Sequence, residues 1–437
     1  MKEKLTASQM ISLSFMLFAI FFGAGNMIFP PALGQQAGDK YLWGIMGFVA
    51  TDVGISLLGI MAVVRVGSTL EDLAGRIGPR FSVGFSLLIY LMLGPLFAMP
   101  RTGAVSFELA MLPFLGALPV SPGMGSLLFT LAFFGCSIFL SLNPSKVVDI
   151  VGKVLTPILL LAIGALTVAS ILHPLGAIVP TTGPYAEIPF FKGLVEGYLA
   201  LDGFASLIFA GIVINSMKGY GITDKKLLQK NTFWVGLIAS AALALVYVAL
   251  GYIGASCSSL PLFENGGQLL TMGARQLFVP YGQMILGLAV LFACLTTSIG
   301  LTTSFAEYFH KAFPRFTYRQ VVVAVNLFSF AVSNVGLSTM IYYTLPVLVT
   351  LYPAVVVMIV LSYFHDAFGG RKPVYLCGMG FALAVGGISG LESLKITLGP
   401  ITALAKMLPF YDLGVGWILP AIAGCLLGLL IPAKQEG

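Results

Sequence analysis

Charge is the scarcest property of this 437-residue chain: only 9% of its residues are Asp, Glu, Lys or Arg. A soluble globular domain carries about 25%. Hydrophobic residues make up 58% of the sequence, and the mean hydropathy is +0.98. Apolar runs of about 20 residues, the length that a helix needs to cross a bilayer, recur along the chain. The composition therefore excludes a soluble fold and indicates a membrane protein with many spans.

Cysteine and histidine are also scarce, and their positions exclude several kinds of site. The five cysteines show no Cys-x-x-Cys pair, and four of them lie in apolar runs, as is typical of small buried side chains. The three histidines, His173, His310 and His365, lie near the ends of predicted spans without zinc-site spacing. No Walker motif is present. We therefore expect neither a disulfide framework, nor an enzyme, nor an ATP-driven pump.

The net charge of +6 raises the alternative of a nucleic-acid partner, but the distribution of the charges indicates membrane topology instead. All spans should be helices, because a helix satisfies its own backbone hydrogen bonds in lipid and runs this long exclude a barrel. Twelve spans can be drawn, the first of which reads as a retained span and not as a signal peptide. They cover about residues 10–36, 41–66, 80–111, 124–142, 146–172, 191–216, 231–256, 281–311, 318–335, 339–364, 373–390 and 412–432.

These spans divide the basic residues very unequally between the two sides of the membrane. One side receives Lys2, Lys4, Arg65, Arg76, Arg80, Lys146, Lys153, Lys218, Lys225, Lys226, Lys230, Lys311, Arg315, Arg319, Arg371, Lys372 and Lys434. The other side receives only Lys40, Lys192, Arg275, Lys395 and Lys406. By the positive-inside rule both termini are cytoplasmic. We expect a multi-pass protein in the lipid bilayer of a bacterial-type cytoplasmic (inner) membrane, with no nucleic-acid partner and no obligate protein partner.

The first predicted span is interrupted by FFGAGNMIFPP, residues 21–31. Gly23 and Gly25 lower the cost of a non-helical backbone, and Pro30 removes an amide donor and disfavours helical geometry at the preceding residue. Amides freed at the start of a half-helix can bind a carboxylate, and carbonyls freed at the end of the other half can bind a cation. Asn26 adds a neutral oxygen suited to an alkali ion. A zwitterion together with sodium would fit this segment.

The sixth predicted span carries a similar interruption at LDGFA, residues 201–205. For either interruption alone, close helix packing at glycine is an alternative explanation. The two lie five spans apart on helices of opposite direction, which favours an inverted-repeat transporter. We expect one membrane transporter domain over residues 1–437, with repeat one at about 8–175, repeat two at about 188–366 and accessory helices 11 and 12 at about 370–433.

Span eight contains six hydroxyl side chains within nine residues, from Thr296 to Ser304. Thr296, Thr303 and Ser304 can share one face of the helix, whereas Thr297 and Ser298 point elsewhere. Such hydroxyls often bond to carbonyls of the preceding turn, which is one interpretation. The other is that they face the first interruption and help to complete an oxygen cage for sodium.

Ionisable residues inside spans indicate a structural or functional role, because a charge at the centre of the bilayer costs about 2.5–3.5 kcal/mol on insertion scales. Arg101 could pair with Glu108 as a structural bridge, or could help to gate the pocket. Glu307 lies near the end of a span, where a solvated role is expected. Asp202 lies at the second interruption and could contact a substrate ammonium, bind a cation or carry a proton. Asp52 is a further candidate without an assigned role.

With these motifs the chain resembles the branched-chain amino acid:cation symporters, the BrnQ-type carriers of the APC superfamily. The resemblance runs nearly end to end. It is carried by GAGNMIFPP (23–31), GPLFAMPRT (94–102), VSFE (105–108), LDGFA (201–205) and ACLTTSIGLTTSFAEYF (293–309). It implies the LeuT-like fold: an all-α polytopic membrane protein of twelve transmembrane helices, with a 5+5 inverted repeat and discontinuous helices 1 and 6.

The resemblance also implies roles for residues that match the G-x-G-N and A-x-L-T-[ST] motifs. Sodium would bind at Ala19, Phe22, Ala293, Thr296 and Thr297. The amides of Ala24 and Gly25 would hold the substrate carboxylate, and Asn26 would match a ligand of a second sodium site whose other ligands are not evident. The full predicted substrate site is Gly23, Ala24, Gly25, Asn26, Ala200, Leu201, Asp202, Gly203 and Phe204. Arg101, Glu108 and Glu307 are expected to have structural or gating roles.

The function implied by the resemblance is secondary active import of leucine, isoleucine and valine by sodium-coupled symport through alternating access. Sodium is the expected coupling ion. One alternative keeps the class of protein and replaces sodium with a proton carried by Asp202 or Glu307. Another is a channel, which would show no saturable, concentrative uptake.

Overall fold

A computed structural model describes residues 5–117, 119–142, 156–279 and 281–432. These ranges consist of helices, turns and loops, and no β-strand occurs within them. Residues 146–155 of the predicted fifth span, together with Lys2, Lys4, Lys434 and the predicted end of the accessory helices at 433, lie outside the described residues. The α-helices are α1 (Ala7–Phe21), α2 (Ala24–Ala37), α3 (Tyr41–Val49), α4 (Ser56–Val66), α5 (Leu70–Gly75), α6 (Pro79–Leu91), α7 (Ala98–Ser106), α8 (Pro122–Ser141), α9 (Thr156–Leu172), α10 (Pro184–Glu187), α11 (Pro189–Glu196), α12 (Asp202–Gly219), α13 (Lys225–Ala255), α14 (Gly266–Leu277), α15 (Gly282–Ala312), α16 (Tyr318–Ser333), α17 (Leu337–Tyr363), α18 (Lys372–Ser393), α19 (Pro400–Lys406) and α20 (Ile418–Leu430).

Within the described ranges, seven helical segments are long and apolar enough to cross a membrane, or eight if the bent pair around residue 201 is one span. Four shorter apolar helices, α1, α9, α16 and α20, accompany them. Each predicted span overlaps at least one of these helices. The all-helical class of membrane protein is confirmed, and the number of twelve spans stays a prediction.

The first interruption lies at Phe22 and Gly23, between α1 and α2. Phe22 has φ −70° and ψ 81°, and Gly23 has φ −113° and ψ −156°, so neither residue is helical. The expected disruption at Pro30 is wrong, because α2 continues through Pro30 and Pro31. Proline fixes φ near the helical value, and a membrane helix tolerates the lost donor where neighbouring helices pack against it. Here α2 packs along α13 and α14.

The second interruption is a left-handed residue at Leu201, with φ 77° and ψ 0°. It separates a short 3₁₀ turn, Gly197–Ala200, from α12, and the segment Pro189–Ala200 is bent by 48° relative to α12. The interruption lies within the predicted segment 201–205, but at Leu201 and not at the glycine, since Gly203 lies in the first turn of α12. Gly203 is instead needed for packing: a Cβ there would overlap the hydroxyl end of Tyr352 of α17.

Helix packing brings the two interruptions together. The N-terminal half of the chain contributes α2, which packs along α13 and also contacts α7 and the turn Gly197–Ala200. The second interruption is held by α12, which packs along α4. In addition, α7 packs along α15. The start of α2, the turn before α12, the middle of α7 and the middle of α15 therefore surround one region of the interior.

Two π-helical turns modify the helices around this region. One, Ala50–Ile55, joins α3 to α4 and carries the fully buried Asp52. The other, Met92–Leu96, joins α6 to α7, and Gly94 inside it is non-helical, with φ −78° and ψ −115°. Single π-helical turns in α-helices occur frequently at functional sites.

Candidate transport site

A small buried cavity lies where the two interruptions meet. Its volume is about 20 Å³, which is enough for one water molecule and too small for an amino acid. Of the predicted substrate-binding residues, those that line the cavity are Gly23, Ala24, Gly25, Asn26, Ala200, Leu201 and Asp202. The structure thus brings together positions about 175 residues apart in the sequence, 23–26 and 200–202.

Gly203 and Phe204, which were also predicted to contact substrate, do not line this cavity. They lie against Tyr352 of α17. The rings of Phe204 and Tyr352 meet edge to face, with centroids 5.2 Å apart and planes at 82°. Both residues therefore pack the start of α12 against α17.

The start of α2 presents main-chain amides to the cavity. Gly23 is the residue that precedes the helix, and it has no side chain to accept a hydrogen bond from the first turn. The amides of Ala24, Gly25 and Asn26 consequently have no acceptor one turn earlier in their own helix. Such amides, together with the helix dipole, favour a bound anion. This geometry suits the predicted contact of Ala24 and Gly25 with a carboxylate.

Arg101 of α7 connects the two interruptions. Its Nη1 donates to the carbonyl of Leu199 at 2.6 Å and its Nη2 to the carbonyl of Ala200 at 3.0 Å. The guanidinium also lies 5.4 Å from the centre of the Phe29 ring, a cation–π contact. A Cβ at Gly25 would lie only 2.7 Å from Nη2. Arg101 is 6% exposed, so this positive charge is buried between α2 and the turn before α12.

The expected bridge between Arg101 and Glu108 is wrong. No ion pair joins these two described residues; Glu108 instead accepts a hydrogen bond of 2.7 Å from the Asn265 side chain. The Asn265 oxygen in turn accepts from the amides of Gly267 and Gln268 at the start of α14. Glu108 lies in a π-helical turn, Phe107–Met111, that follows α7. Glu108 thus contacts the residue that caps the start of α14.

Asp202 belongs to a buried hydrogen-bond network that crosses four helical segments. The Asn26 side-chain nitrogen donates to Asp202 Oδ2 at 2.6 Å and also to the hydroxyl of Tyr247 on α13. The Tyr247 hydroxyl donates to Asp52 Oδ2 at 2.6 Å. Asp202 is 4% exposed and Asp52 is fully buried. The side-chain nitrogen of Asn26 makes the contacts of this network. The side-chain oxygen, which was expected to bind an ion, does not.

Tyr247 is a member of this network that sequence reasoning missed, and Asp52 was noticed without a role. A tyrosine inside an apolar run is common, so its sequence context carries no specific signal. The buried position of Asp52 in a predicted span is a signal, because an unpaired carboxylate there would be costly. Only the packing of α13 between α2 and the Asp52 turn shows which residue it pairs with.

The predicted sodium ligands also meet in the structure. The Thr296 hydroxyl, on α15, lies 3.2 Å from the carbonyl of Ala19 and 2.8 Å from that of Ala293. The Thr297 hydroxyl donates to the carbonyl of Ile20 at 3.0 Å. The end of α1 therefore faces α15 with oxygen atoms from both sides. Phe22, the remaining predicted ligand, ends α1 within the same turn.

The other hydroxyls of α15 point elsewhere. Thr303 donates back to the carbonyls of Ile299 and Gly300 in its own helix, both at 3.0 Å. Ser298 pairs with Ser137 of α8 at 3.0 Å. The two interpretations of this segment therefore apply to different residues. Thr303 bonds back to its own helix, Thr297 meets α1, and Thr296 contacts both α1 and a carbonyl of its own helix.

Glu307 lies outside the central cavity. Its side chain is exposed and lines a second, larger cavity of about 660 Å³ between α5, α6, α12 and α15. Ser304 and Lys311 of α15 line the same cavity. This position fits the expected solvated role of Glu307 at the end of a span.

The wall of the central cavity is mostly apolar. Side chains of α1, the π-helical turn before α7, α12 and α15 contribute to it: Ile20, Phe21, Leu93, Phe209 and Leu301. Such a wall, with amides and charged groups on one side, suits a ligand with a polar end and an aliphatic end.

Solved structures share this fold. The chain superposes on Mhp1, a nucleobase-cation-symport-1 family transporter in a closed conformation with bromovinylhydantoin bound, with TM-score 0.64, 18% identity and coverage of 98% of this chain and 94% of Mhp1. It superposes on MhsT in complex with L-phenylalanine with TM-score 0.54, 18% identity and coverage of 98% and 99%. The fold is therefore that of the LeuT-like transporters.

Sequence relatives cover nearly the whole chain. The branched-chain amino acid permease BrnQ of Bacillus subtilis (strain 168) is 42% identical over 99% of this chain and 98% of its own length. The branched-chain amino acid transport system 2 carrier protein of Pseudomonas aeruginosa is 39% identical over 96% and 95%. These names are those of permeases and carriers, not of enzymes. The family described as "Branched-chain amino acid transport protein" matches residues 6–435, and the chain is a member of this family of integral membrane transporters.

Proposed function

We propose that the protein imports leucine, isoleucine and valine by sodium-coupled symport. The amino acid and the ion bind on adjacent sides of the first interruption, and the ion gradient drives transport. The membrane potential contributes about 2.3 kcal/mol per charge per 100 mV, to which the sodium concentration ratio adds. The proposal rests on one observation above all: the hydroxyls of Thr296 and Thr297 meet the carbonyls of Ala19 and Ile20 at the end of α1.

The substrate class is supported by the relatives and by the cavity wall. Two relatives that match nearly the whole chain carry names of branched-chain amino acid transport proteins. The wall residues Ile20, Leu93 and Leu301 are aliphatic, so that they suit a branched side chain. Burial of such a side chain contributes about 1.5–3 kcal/mol.

The polar end of the substrate has partners at both interruptions. Its carboxylate would accept hydrogen bonds from the amides of Ala24 and Gly25 at the start of α2. Its ammonium would lie beside Asp202, which is the nearest acid on the cavity wall. An amino acid thereby bridges the start of α2 and the start of α12.

The sodium ion would be held by oxygen atoms from α1 and α15. The carbonyls of Ala19, Phe22 and Ala293 and the hydroxyls of Thr296 and Thr297 form the proposed set. Carbonyls freed at the end of a half-helix are the usual sodium ligands in transporters with interrupted helices. Gly23 separates this site from the amides of Ala24 and Gly25, so that ion and substrate can stabilise each other across one residue.

Transport would proceed by alternating access in a twelve-span architecture with both termini in the cytoplasm of a bacterial-type cell. The cavity of about 20 Å³ does not admit leucine, so that binding requires neighbouring helices to separate. We assign spans 1, 2, 6 and 7 to the moving group and spans 3, 4, 8 and 9 to the group against which it rocks. The repeats at about 8–175 and 188–366 would supply the symmetry of the two open states.

Uptake of radiolabelled leucine into liposomes that contain the purified protein tests the proposal. An inward sodium gradient should produce saturable, concentrative uptake, and replacement of sodium by potassium should abolish it. Unlabelled isoleucine and valine should compete, whereas lysine should not. Full uptake driven by a pH step without sodium would show that the coupling ion is a proton. Downhill flux that does not saturate would indicate a channel.

A further inference from the structure

The guanidinium of Arg101 is a buried positive charge whose donors are only partly used. Nη1 and Nη2 each make one hydrogen bond, to the carbonyls of Leu199 and Ala200. Nε is buried and has no partner among the described residues. A guanidinium carries five N–H donors, so several remain available. Within the described part of the chain no ion pair joins Arg101 to a carboxylate.

The free donors lie beside a second source of positive potential. Arg101 and the start of α2 line the same cavity, and Nη2 lies so close to Gly25 that a Cβ there would be 2.7 Å away. The first amides of α2 have no acceptor within their helix, and no side chain caps them. Two independent features, a helix start and a buried cation, thus converge on one place.

Among the described residues, no carboxylate of the protein pairs with both Arg101 and the amides at the start of α2. The acid on the cavity wall, Asp202, accepts its hydrogen bond from Asn26, and Asp52 accepts from Tyr247. Both acids lie at the network that connects α2 to α13. Asp202 and Arg101 therefore line one cavity, and the charge of Asp202 acts on Arg101 without an ion pair between these two described residues.

We propose that Arg101 binds the carboxylate of the transported amino acid, together with the amides of Ala24 and Gly25. This inference rests on the proposed function and adds a specificity-determining residue to it. The guanidinium supplies a fixed positive charge where a backbone amide site alone would supply only dipoles. Hydrogen bonds between a guanidinium and a carboxylate are charge-assisted and about twice as strong as neutral ones.

The consequence is a requirement for the α-carboxylate. A ligand with the leucine side chain and ammonium but without the carboxylate would meet a buried guanidinium that has lost its partner. L-Leucinol is such a ligand. We expect it to bind the native protein far more weakly than leucine does.

A purely structural role would have a different signature. The bonds to Leu199 and Ala200 hold the turn before α12, so that loss of Arg101 could disturb the whole cavity. In that case leucine and leucinol would lose affinity by the same factor. The two roles are therefore separated by the ratio of the two affinities and not by the loss of leucine binding alone.

The test is binding of radiolabelled leucine to the purified full-length protein in saturating sodium, with leucinol as competitor. R101Q and R101M should weaken leucine binding about 10- to 100-fold and change leucinol binding less than about threefold, because only leucine offers a carboxylate. R101K keeps the charge without the fork and should be intermediate. R80Q, which removes an exposed arginine of α6, is the matched control and should bind as the native protein does.

Thermal unfolding with and without sodium checks that the variants are folded, and R101Q should keep its stabilisation by sodium. Native leucine affinity in R101Q, or an equal loss of leucine and leucinol affinity, would overturn the role of Arg101. If leucinol shows no binding to the native protein, loss of leucine-dependent stabilisation in R101Q with sodium-dependent stabilisation intact supports the proposal, and its retention contradicts it. Failure of the native protein to bind leucine at all would instead count against the proposed function.

Discussion

The hydroxyl of Thr297 donates a hydrogen bond of 3.0 Å to the carbonyl of Ile20, a residue 277 positions away in the chain. This contact joins the middle of α15 to the last turn of α1. It depends on Gly23, because a Cβ there would lie 2.8 Å from the Thr297 hydroxyl oxygen. Gly23, which separates α1 from α2, is thus also the residue that lets α15 approach the end of α1.

Replacement of Thr297 by alanine should raise the sodium concentration for half-maximal leucine uptake about tenfold, since one oxygen ligand is worth about 1.4 kcal/mol. The preference among leucine, isoleucine and valine should change less than twofold, because the hydroxyl donates to the carbonyl of Ile20 in α1. Sodium titrations of uptake into proteoliposomes measure both quantities. T303A is the matched control, since Thr303 bonds only within its own helix. Equal sodium dependence in the two variants would contradict the ion-site assignment.

Replacement of Gly25 by leucine should abolish leucine binding. A side chain at this position would collide with the Arg101 guanidinium and with Ala200, whose Cα lies 3.2 Å from the position of an added Cβ. It would also cover the amides at the start of α2. Equilibrium binding of radiolabelled leucine measures the effect. G135L on α8 is the control, because no atom lies within 4 Å of a Cβ at Gly135 and the residue is exposed. Unchanged leucine affinity in G25L would refute the anion site.

Much of the site was predictable because its signals are local. Glycines and an acid inside apolar runs indicated residues 23–26 and 202, and the density of hydroxyls indicated Thr296 and Thr297. The turn at Leu201 was not predictable, since leucine rarely adopts a left-handed conformation and Gly203 offers the stronger local signal. In the structure Gly203 packs against Tyr352 from inside the helix, and the left-handed residue is Leu201, two positions earlier.

The partners of buried charges were the least predictable part. A seven-residue spacing places Arg101 and Glu108 on one face of a regular helix. Glu108 instead accepts from Asn265, which lies 157 positions away, and no local pattern indicates that partner. The pairing of Asp52 likewise depends on Tyr247, which lies 195 positions away.

Replacement of Tyr247 by phenylalanine should lower the stability of the protein by about 1–3 kcal/mol, because Asp52 loses the hydroxyl that donates to it. Asn26 loses one of its two acceptors in the same step. Thermal unfolding in detergent measures the loss, and leucine uptake should fall with it because Asn26 also positions Asp202. Y352F is the control, since the equally buried Tyr352 hydroxyl makes only a long bond of 3.4 Å to the carbonyl of Thr51. Equal stability of Y247F and Y352F would show that the network contributes nothing.

Replacement of Glu108 by glutamine should leave leucine affinity and sodium dependence within about twofold of the native values. Glutamine keeps an oxygen for the Asn265 side chain, and Arg101 does not depend on Glu108 for a partner. If the two residues formed a buried ion pair, loss of one charge would cost about 3–5 kcal/mol. E108A is the comparison, because it removes the acceptor of Asn265 and should lower stability by about 1–3 kcal/mol through the start of α14. A loss of leucine affinity in E108Q as large as that in R101Q would show that Arg101 depends on Glu108 after all.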